Sequence, residues 1–309
     1  MNRALTFEIT EEYESIFSFL KVRSFPRRIV TQLKQNPEHV MLNGTPVLLR
    51  TPLHIGDLLC LKIVEGERSD IIATPMDLDI VYEDEDILVV NKPAGLPVHP
   101  SIQHYEDTLA NGLMHYYKDA DSPFVFRCIN RLDRDTSGLT IIAKNPYSGA
   151  MLQRQVKNRQ LHRTYIAIVE GALDATGTID APIGRREDSV ILRTIDVEHG
   201  KPAITHYTCL EQKNGLSLAS ITLETGRTHQ IRVHMASIGH PLPGDFLYNP
   251  DNRQIARQAL HSARLRFVHP ITGEAFDLNA PLPEDMKHLF YDNASKTYLA
   301  SAKNGFSTR

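Results

Sequence analysis

The chain has 309 residues, of which 41% are apolar and 23% are charged, with a formal net charge of −3. This length allows one large hydrophobic core with a smaller domain beside it, and the charge balance argues against a protein that coats nucleic acid through a general basic excess. The sequence shows neither an apolar window long enough to span a membrane nor a secretory signal, so we expect a cytoplasmic protein without a membrane partner.

Residues 1–73 are predicted to form a small unit with two helices followed by strands. Apolar residues at helical spacing indicate helices around Ile16–Leu20 and Ile29–Leu33, and Pro26 suits the start of the second. Three strands and two tight turns are predicted next, at 39–44, 46–49 and 57–64 and at Asn43-Gly44 and Gly56-Asp57. The charged segment EGERSDIIATPMD then marks a domain boundary near Ala73.

Residues 74–292 are predicted to form an α+β domain built on a mixed, mostly antiparallel sheet. The predicted strands are 79–84, 86–92, 139–145, 163–171, 201–210, 216–224 and 264–270, and the predicted helices are 104–117, 146–158 and 229–238. Residues 293–309 are expected to be a polar C-terminal tail.

The helix predicted at 229–238 has an unusual arginine. Ile231, Met235 and Ile238 fall on one face and should contact the core, while Arg232 lies at the edge of that face. Such an arginine either extends its guanidinium to water or pairs with a buried carboxylate.

Several kinds of site lack their sequence motifs. GxGxxG, GxxxxGK[ST], GxSxG and HExxH do not occur, which argues against nicotinamide binding, P-loop phosphate binding, serine hydrolysis and zincin chemistry. His229, His234 and His240 are spaced wrongly to share one helix face, so we expect no metal site. The cysteines are far apart and should be small buried apolar residues; they are Cys60, Cys128 and Cys209.

The segment RLDRDTSG is the first candidate for chemistry. It places Asp133 between two arginines, just before an apolar strand. Residue chemistry alone favours a structural role, in which Asp133 or Asp135 caps a turn and Gly138 allows an unusual backbone angle. Two further segments gather candidate groups, QLHRTYIAIVEG and LETGRTHQIRVHM.

Basic residues are segregated along the chain. One run without acidic residues contains Lys21, Arg23, Arg27, Arg28 and Lys34, and a second contains Lys144, Arg154, Lys157, Arg159 and Arg163. This pattern fits a polyanion-binding face, but two solvated helix faces would give it as well.

Five segments together resemble the RluA/RluD-type pseudouridine synthases. In chain order they are DILVVNKPAGLPVHPS, RLDRDTSG, HRTYIAIVEG, LETGRTHQIRVHM and LHSARLRFVHPITGE, between about Asp79 and Pro283. The N-terminal unit resembles, more loosely, the S-four-type RNA-binding domain that is often fused to these enzymes. The resemblance implies isomerisation of uridine to pseudouridine in structured RNA, without a cofactor.

The resemblance also implies roles for individual residues. Asp133 takes the place of the catalytic Asp, Arg232 that of the arginine paired with it, and Tyr165 that of the aromatic residue that stacks on the uracil. Leu260 would pack beneath the base, and Arg131 would fill the space left by the flipped nucleotide. The chain has Asn130 where the family commonly has His, which puts the subfamily in doubt more than the activity.

The chemistry of the residues is compatible with these roles. A flipped uridine loses a few kcal/mol of stacking, of which an aromatic ring such as Tyr165 returns about 1–3 kcal/mol. A nearby arginine would favour the charged form of Asp133, ready to act as nucleophile or base. The remaining expected RNA contacts are basic or polar residues around these groups, namely Arg227, His229, Lys157, Arg159 and Arg163.

Two other functions remain possible from the sequence. A catalytically silent RNA-binding protein of the same fold would keep the basic residues but would not need Asp133. A carboxylate-dependent nucleoside hydrolase would release free uracil from uridine. For the target we expect large-subunit ribosomal RNA, with tRNA as the alternative, and we expect a monomer.

Overall fold

The structure is a computed structural model that describes residues 1–66, 69–252 and 254–292. The predicted tail at 293–309 therefore lies outside the described residues. In the described part, each helix is too short or too polar to cross a bilayer.

The N-terminal unit is a four-stranded sheet packed against two helices. Its elements are β1 (Arg3–Glu8), α1 (Ile16–Val22), α2 (Arg27–Gln35), β2 (Val40–Leu42), β3 (Thr45–Pro46) and β4 (Leu58–Ile63), with a 3-10 turn at Pro37–His39. The strand order is β1-β4-β2-β3. Its apolar core includes Phe19, Leu33 and Leu61, and it extends to Tyr147 of the following part of the chain. The unit is thus docked on the rest of the protein through apolar contacts.

The second part of the chain forms a nine-stranded sheet with a small separate hairpin. Its strands are β5 (Ile80–Glu83), β6 (Ile87–Lys92), β7 (Ser137–Ala143), β8 (His162–Glu170), β9 (Thr176–Asp180), β10 (Ile183–Arg185), β11 (Arg193–Ile195), β12 (Ile204–Lys213), β13 (Leu216–Leu223), β14 (Leu260–Val268) and β15 (Ala275–Asn279). The order is β5-β6-β7-β14-β8-β13-β12-β9, with β15 beside β14, while β10 and β11 pair with each other. All these pairs are antiparallel except β7 with β14, which is parallel. The prediction of a mixed, mostly antiparallel sheet is therefore confirmed.

This part of the chain also contains four helices. They are α3 (Leu109–Tyr116), α4 (Pro146–Lys157), α5 (Gln230–Ser237) and α6 (Glu284–Lys287), and a π-type turn at His288–Asp292 follows α6. Two of them begin with a side-chain cap: Thr108 accepts the backbone N–H of Asn111, and Asn145 accepts that of Ser148. These caps satisfy N–H groups that the first helical turn leaves without partners.

The structure differs from the sequence-based expectations in several elements. Five strands were not predicted, because each has at most one buried residue and so shows little alternation of buried and exposed positions; they are β1, β9, β10, β11 and β15. Helix α6 was not predicted either, since four residues are too few to show a helical period. The prediction for 46–49 is wrong beyond Pro46, where β3 ends. The three cysteines are only partly buried, whereas full burial was expected.

Helix α5 is more deeply buried than its sequence pattern indicates. Ile231 and Met235 lie in the main core as expected, but Ile238 follows the last helical residue and is 38% exposed, so its assignment to the core is wrong. Gln230, Arg232 and His234 are buried as well. Arg232 is therefore inside the protein and not at the border of an apolar face.

Candidate active site

Asp133 lies in a short loop that leads into β7. The neighbouring side chains Leu132 and Thr136 are buried, and the Thr136 N–H donates to the Asp133 carbonyl at 3.1 Å. Gly138 has φ +109°, and a Cβ there would lie 2.3 Å from the carbonyl oxygen of Ser262. Glycine is therefore required where this loop enters the sheet, since β7 and β14 approach too closely for a side chain.

The buried side chain of Lys92 also contacts the loop that contains Asp133. Lys92 Nζ donates to the carbonyls of Pro93 at 2.7 Å, Leu96 at 2.8 Å and Arg134 at 2.8 Å. Burial lowers the pKa of Lys92 to about 7, and the charge of Asp135 opposes this change. The ammonium thus joins the segment after β6 to the residue that follows Asp133.

Arg232 pairs with two carboxylates at once. Its Nη1 donates to Asp133 Oδ2 at 3.0 Å, while Nε and Nη2 each donate to Asp245 at 2.7 Å. Asp245 also accepts the backbone N–H groups of Leu247 and Tyr248. Of the two alternatives left open by the sequence, the guanidinium pairs with buried carboxylate and does not extend to water.

The two carboxylates differ in their access to solvent. The Asp245 side chain is fully buried, whereas that of Asp133 is 27% exposed and reaches the cleft. Burial alone would lower the pKa of Arg232, but the hydrogen bonds and charge of Asp245, with a smaller contribution from Asp133, raise it above its ordinary value. Arg232 therefore remains a cation and presents one Nη group to Asp133.

Tyr165 and Leu260 complete a small pocket beside Asp133. Tyr165 is on β8 and pairs with Ser262 of β14, which places it next to the start of that strand at Leu260. A space of about 60 Å³ is lined by Asp133, Thr136, Tyr165, Arg232 and Leu260 among others, and it opens to a cleft of about 630 Å³. Burial raises the pKa of Tyr165, so its hydroxyl stays protonated at neutral pH.

His229 lines the same pocket and also lies close to the Asp133 carboxylate. It occupies the left-handed region, with φ +58°, immediately before α5. Its Nε2 is 3.9 Å from Asp133 Oδ2, and its Nδ1 is 2.9 Å from the hydroxyl of Tyr248, which also accepts the Arg193 N–H. Burial lowers the pKa of His229, with Asp133 opposing and Arg232 adding to the effect, so the imidazole is neutral at pH 7.

The remaining predicted residues are distributed unequally. Arg131, Arg163 and Arg227 line the cleft, and Arg163 Nε is buried without a hydrogen-bond partner among the described residues. Arg159 pairs with Glu224 at 2.5 Å, and Lys157 is exposed at the end of α4 and does not line the cleft.

Lys144, from the second basic run, is buried and pairs with Glu83 at 2.8 Å, so it does not belong to a solvent-facing basic surface.

Asp245, Tyr248 and Lys92 were missed at the sequence level. Asp245 stands alone in the apolar stretch HPLPGDFLYN, with no basic residue near it in sequence. An isolated acidic residue in such a stretch indicates a distant cationic partner if the stretch is buried. Tyr248 and Lys92 offered no comparable signal, since tyrosine and lysine are common on protein surfaces.

The histidines of α5 and its flanks do not gather into a metal site. His229 contacts Tyr248, His234 Nδ1 contacts Thr205, and His240 Nδ1 contacts the Glu170 carbonyl. Elsewhere in the described chain Asp84, Asp86 and His269 lie close together, away from the cleft. Asp86 already pairs with Arg3 and accepts from Asn145 and Ser148, and His269 pairs with Asp84.

Comparisons with known proteins agree with this geometry. Residues 86–237 match the family model for RNA pseudouridylate synthase. The chain is 42% identical over 265 residues to the uncharacterized RNA pseudouridine synthase YjbO of Bacillus subtilis, an alignment that covers 85% of this chain and 93% of the relative. It is 39% identical over 267 residues to the ribosomal large subunit pseudouridine synthase D of Xylella fastidiosa, covering 81% and 80%.

A solved structure gives the same result. Human RNA pseudouridylate synthase domain containing 1 matches with a TM-score of 0.57 and 27% identity, over 75% of this chain and 97% of the human chain. The fold is thus the pseudouridine synthase fold, and the curated relatives align over most of their length. The chain therefore belongs to the RNA pseudouridylate synthase family, in its RluA/RluD-type branch, and is an isomerase that acts on RNA.

Proposed function

We propose that the protein converts uridine to pseudouridine in large-subunit ribosomal RNA, with Asp133 as the catalytic carboxylate. The observation that carries this proposal is the 3.0 Å contact from Arg232 to Asp133, next to Tyr165 and Leu260 at the base of an open cleft. The choice of RNA rests on relatives named ribosomal large subunit pseudouridine synthase D, 39% and 40% identical to this chain. A tRNA target is the alternative.

The reaction needs one ionised carboxylate and no other reagent. The bond from the sugar to nitrogen one of uracil breaks and a bond to carbon five forms; carbon five loses a proton and nitrogen one gains one. No atom is added and no electron is transferred, so a cofactor is not required. Asp133, partly exposed and held by Arg232, can attack the sugar or remove a sugar proton from the same position.

The pocket residues hold the flipped base. Tyr165 stacks on the uracil, Leu260 packs beneath it, and Arg131 occupies the space that the nucleotide leaves in the RNA. Arg227 and His229 also line this pocket. In the proposed complex they contact the sugar and phosphate of the target nucleotide. Arg163, with Lys157 and Arg159 further out, contacts flanking phosphates and positions the RNA.

The N-terminal unit, residues 1–73, adds RNA affinity to the catalytic domain at 74–292. A hollow of about 840 Å³ beside α2 includes Arg27, and it shares Cys128, Ile129 and Gln153 with the cleft. An RNA strand leaving the cleft can therefore follow this hollow. We further propose that the protein acts as a cytoplasmic monomer.

The decisive experiment is a transcriptome-wide pseudouridine map of the host with the gene deleted, complemented with wild type or with Asp133→Asn. We expect sites in large-subunit ribosomal RNA to vanish in the deletion and to return with wild type alone. If the sites that depend on the gene lie in tRNA, then tRNA is the target and large-subunit ribosomal RNA is not. Restoration by Asp133→Asn would instead support a catalytically silent RNA-binding protein, and release of free uracil from uridine would support a hydrolase.

A further inference from the structure

A second basic hollow lies next to the catalytic cleft. It has a volume of about 400 Å³ and is bordered by the β10–β11 hairpin on one side and the residues before α5 on the other. Its cationic side chains are Arg185, Arg193, Lys201 and Arg227, with His199 beside them. We call this space the hairpin hollow.

The four cations of the hairpin hollow are without a carboxylate partner among the residues that the structure describes. In the described parts of the chain, no Asp or Glu oxygen forms an ion pair with any of the four. Arg193 Nη1 donates to backbone carbonyls, including that of Leu192 at 3.0 Å, and Arg227 Nε donates to the Pro202 carbonyl at 3.0 Å. These contacts fix the side chains without neutralising their charge.

Two acidic residues in this region already have partners, and one of them, Asp196, lies beside Gly184 at the edge of the hollow. Asp188 pairs with Arg186 at 2.5 Å, and Asp196 Oδ1 accepts the His199 N–H at 2.9 Å. Four positive charges around one hollow repel one another unless an anion lies between them. The hollow is therefore built to receive negative charge.

The hairpin hollow and the catalytic cleft are continuous. Gly226, Arg227 and Thr228 line both, and Arg227 also lines the pocket of Asp133 and Tyr165. A strand whose uridine occupies that pocket would carry its neighbouring phosphates along this path. An RNA backbone therefore suits the hollow better than a free small anion, which would use only part of a continuous surface.

The hollow is also rigidly connected to the catalytic residues. Ile183 of β10 packs with Val233 of α5 in a small apolar cluster, to which Tyr248 also contributes. Arg193 donates its backbone N–H to the Tyr248 hydroxyl, which contacts His229 beside Asp133. A phosphate held in the hollow would thus lie at a fixed position relative to Asp133.

We propose that the hairpin hollow binds a backbone phosphate of the RNA strand that flanks the target uridine. This inference rests on the proposed function, since it assumes that the target uridine enters the pocket of Tyr165. Phosphate contacts of this kind position a nucleic acid without reading its bases.

The test replaces two exposed cations of the hollow, as Arg185→Gln with Lys201→Gln. The matched control, Arg266→Gln with Lys118→Gln, removes one arginine and one lysine from exposed positions that line neither the cleft nor the hollow. The probe is a large-subunit ribosomal RNA transcript, whose affinity is measured at several salt concentrations alongside single-turnover pseudouridine formation. Thermal unfolding checks that both variants fold.

We expect the hollow variant to bind RNA roughly tenfold more weakly. The magnitude of the slope of log affinity against log salt concentration should fall by about 0.7–0.9, the value for one lost phosphate contact. The control variant should change the RNA affinity and the salt slope much less. The rate of the hollow variant at saturating RNA should stay within about threefold of the wild-type rate.

An unchanged affinity and salt slope in the hollow variant, or a change equal to that of the control, would overturn the inference. Binding of inorganic phosphate at the hollow without any change in RNA affinity would overturn it too, in favour of a free anion. Failure of the proposed function would be seen separately, as a wild-type protein that forms no pseudouridine in this RNA, and the salt slope would still decide whether the hollow contacts the backbone.

Discussion

Arg232 and Asp245 form a two-pronged salt bridge inside the protein, with both N···O distances at 2.7 Å and with side chains that are 3% and 0% exposed. Asp245 holds the guanidinium in one orientation, and the remaining Nη1 then meets Asp133 at 3.0 Å. The Arg232–Asp245 pair therefore fixes the position of the guanidinium group that contacts Asp133. Removing one partner of a buried ion pair leaves an uncompensated charge and destabilises the folded protein. The contribution of this pair can therefore be measured with a single substitution.

Asp245→Asn should destabilise the protein by about 3–5 kcal/mol and lower the rate of pseudouridine formation, because Arg232 loses the carboxylate that holds it. The matched control is Asp277→Asn, which breaks a surface pair with Arg264 in which both side chains are 45% exposed. That change should cost much less stability, because solvent screens an exposed pair and such pairs contribute little. Urea unfolding of both variants makes the comparison, and equal losses would contradict the positioning role of Asp245.

Tyr165→Phe should retain activity, whereas Tyr165→Leu should lower kcat/KM by roughly 5- to 150-fold. The reason is that stacking contributes about 1–3 kcal/mol per base and requires a ring. Burial raises the pKa of Tyr165, so its hydroxyl stays protonated at neutral pH and does not act as a base. Single-turnover kinetics measure both variants, with unfolding curves to separate activity from core packing. An inactive but folded Phe variant would show that the hydroxyl takes part in the reaction.

Tyr248→Phe should lower kcat while leaving the KM for RNA nearly unchanged. The ring stays in place over Arg232, whose Cζ lies 5.1 Å from its centroid, but the hydroxyl that joins Arg193 to His229 is lost. An unsatisfied buried group costs about 1–3 kcal/mol. Tyr82→Phe removes a comparable hydroxyl, which contacts Asp84 away from the cleft, and serves as the control. Identical kinetics for wild type and Tyr248→Phe would remove Tyr248 from the site.

Gly138→Ala should destabilise the protein strongly, because its Cβ would lie 2.3 Å from the Ser262 carbonyl oxygen at φ +109°. Gly215→Ala is the matched control, since Gly215 also has positive φ, +75°, but has no atom within 4 Å of a built Cβ. The control should show only backbone strain, of order 1–3 kcal/mol. Differential scanning calorimetry compares the two, and a Gly138 variant no less stable than the Gly215 variant would disprove the close approach of β7 and β14.

Lys92 should make the stability of the protein depend on pH. Its pKa is lowered by burial to about 7 in the folded state, from an ordinary value of 10.5. Between these values the unfolded chain binds more protons than the folded one, so the free energy of unfolding rises with pH.

Urea unfolding of wild type between pH 7 and pH 9 should show this rise, and Lys92→Met should have a flatter profile. The variant should also be less stable at every pH, because three carbonyls lose their donor. Parallel profiles for wild type and Lys92→Met would show that the ammonium keeps its proton across the range.

The sequence by itself was sufficient for the fold class, the family resemblance and the residues that face one another at the site. Long periodic segments such as β6, β7 and β13 were predicted because they alternate or are buried throughout. Asp133, Tyr165, Arg232 and Leu260 were assigned through the family resemblance, and the structure brings them together around one pocket. The division at residue 73 and the individual roles stay predictions.

Only the tertiary structure decided the surroundings of Asp133. Asp245 and Lys92 act through partners far away in sequence, and no local pattern reports that a lone charge will be buried beside an opposite one. The hairpin hollow likewise combines residues of β10 and β11 with those before α5, because strand pairing and helix packing bring distant segments together. Local sequence determines periodicity and turn chemistry, whereas long-range packing determines which charges meet.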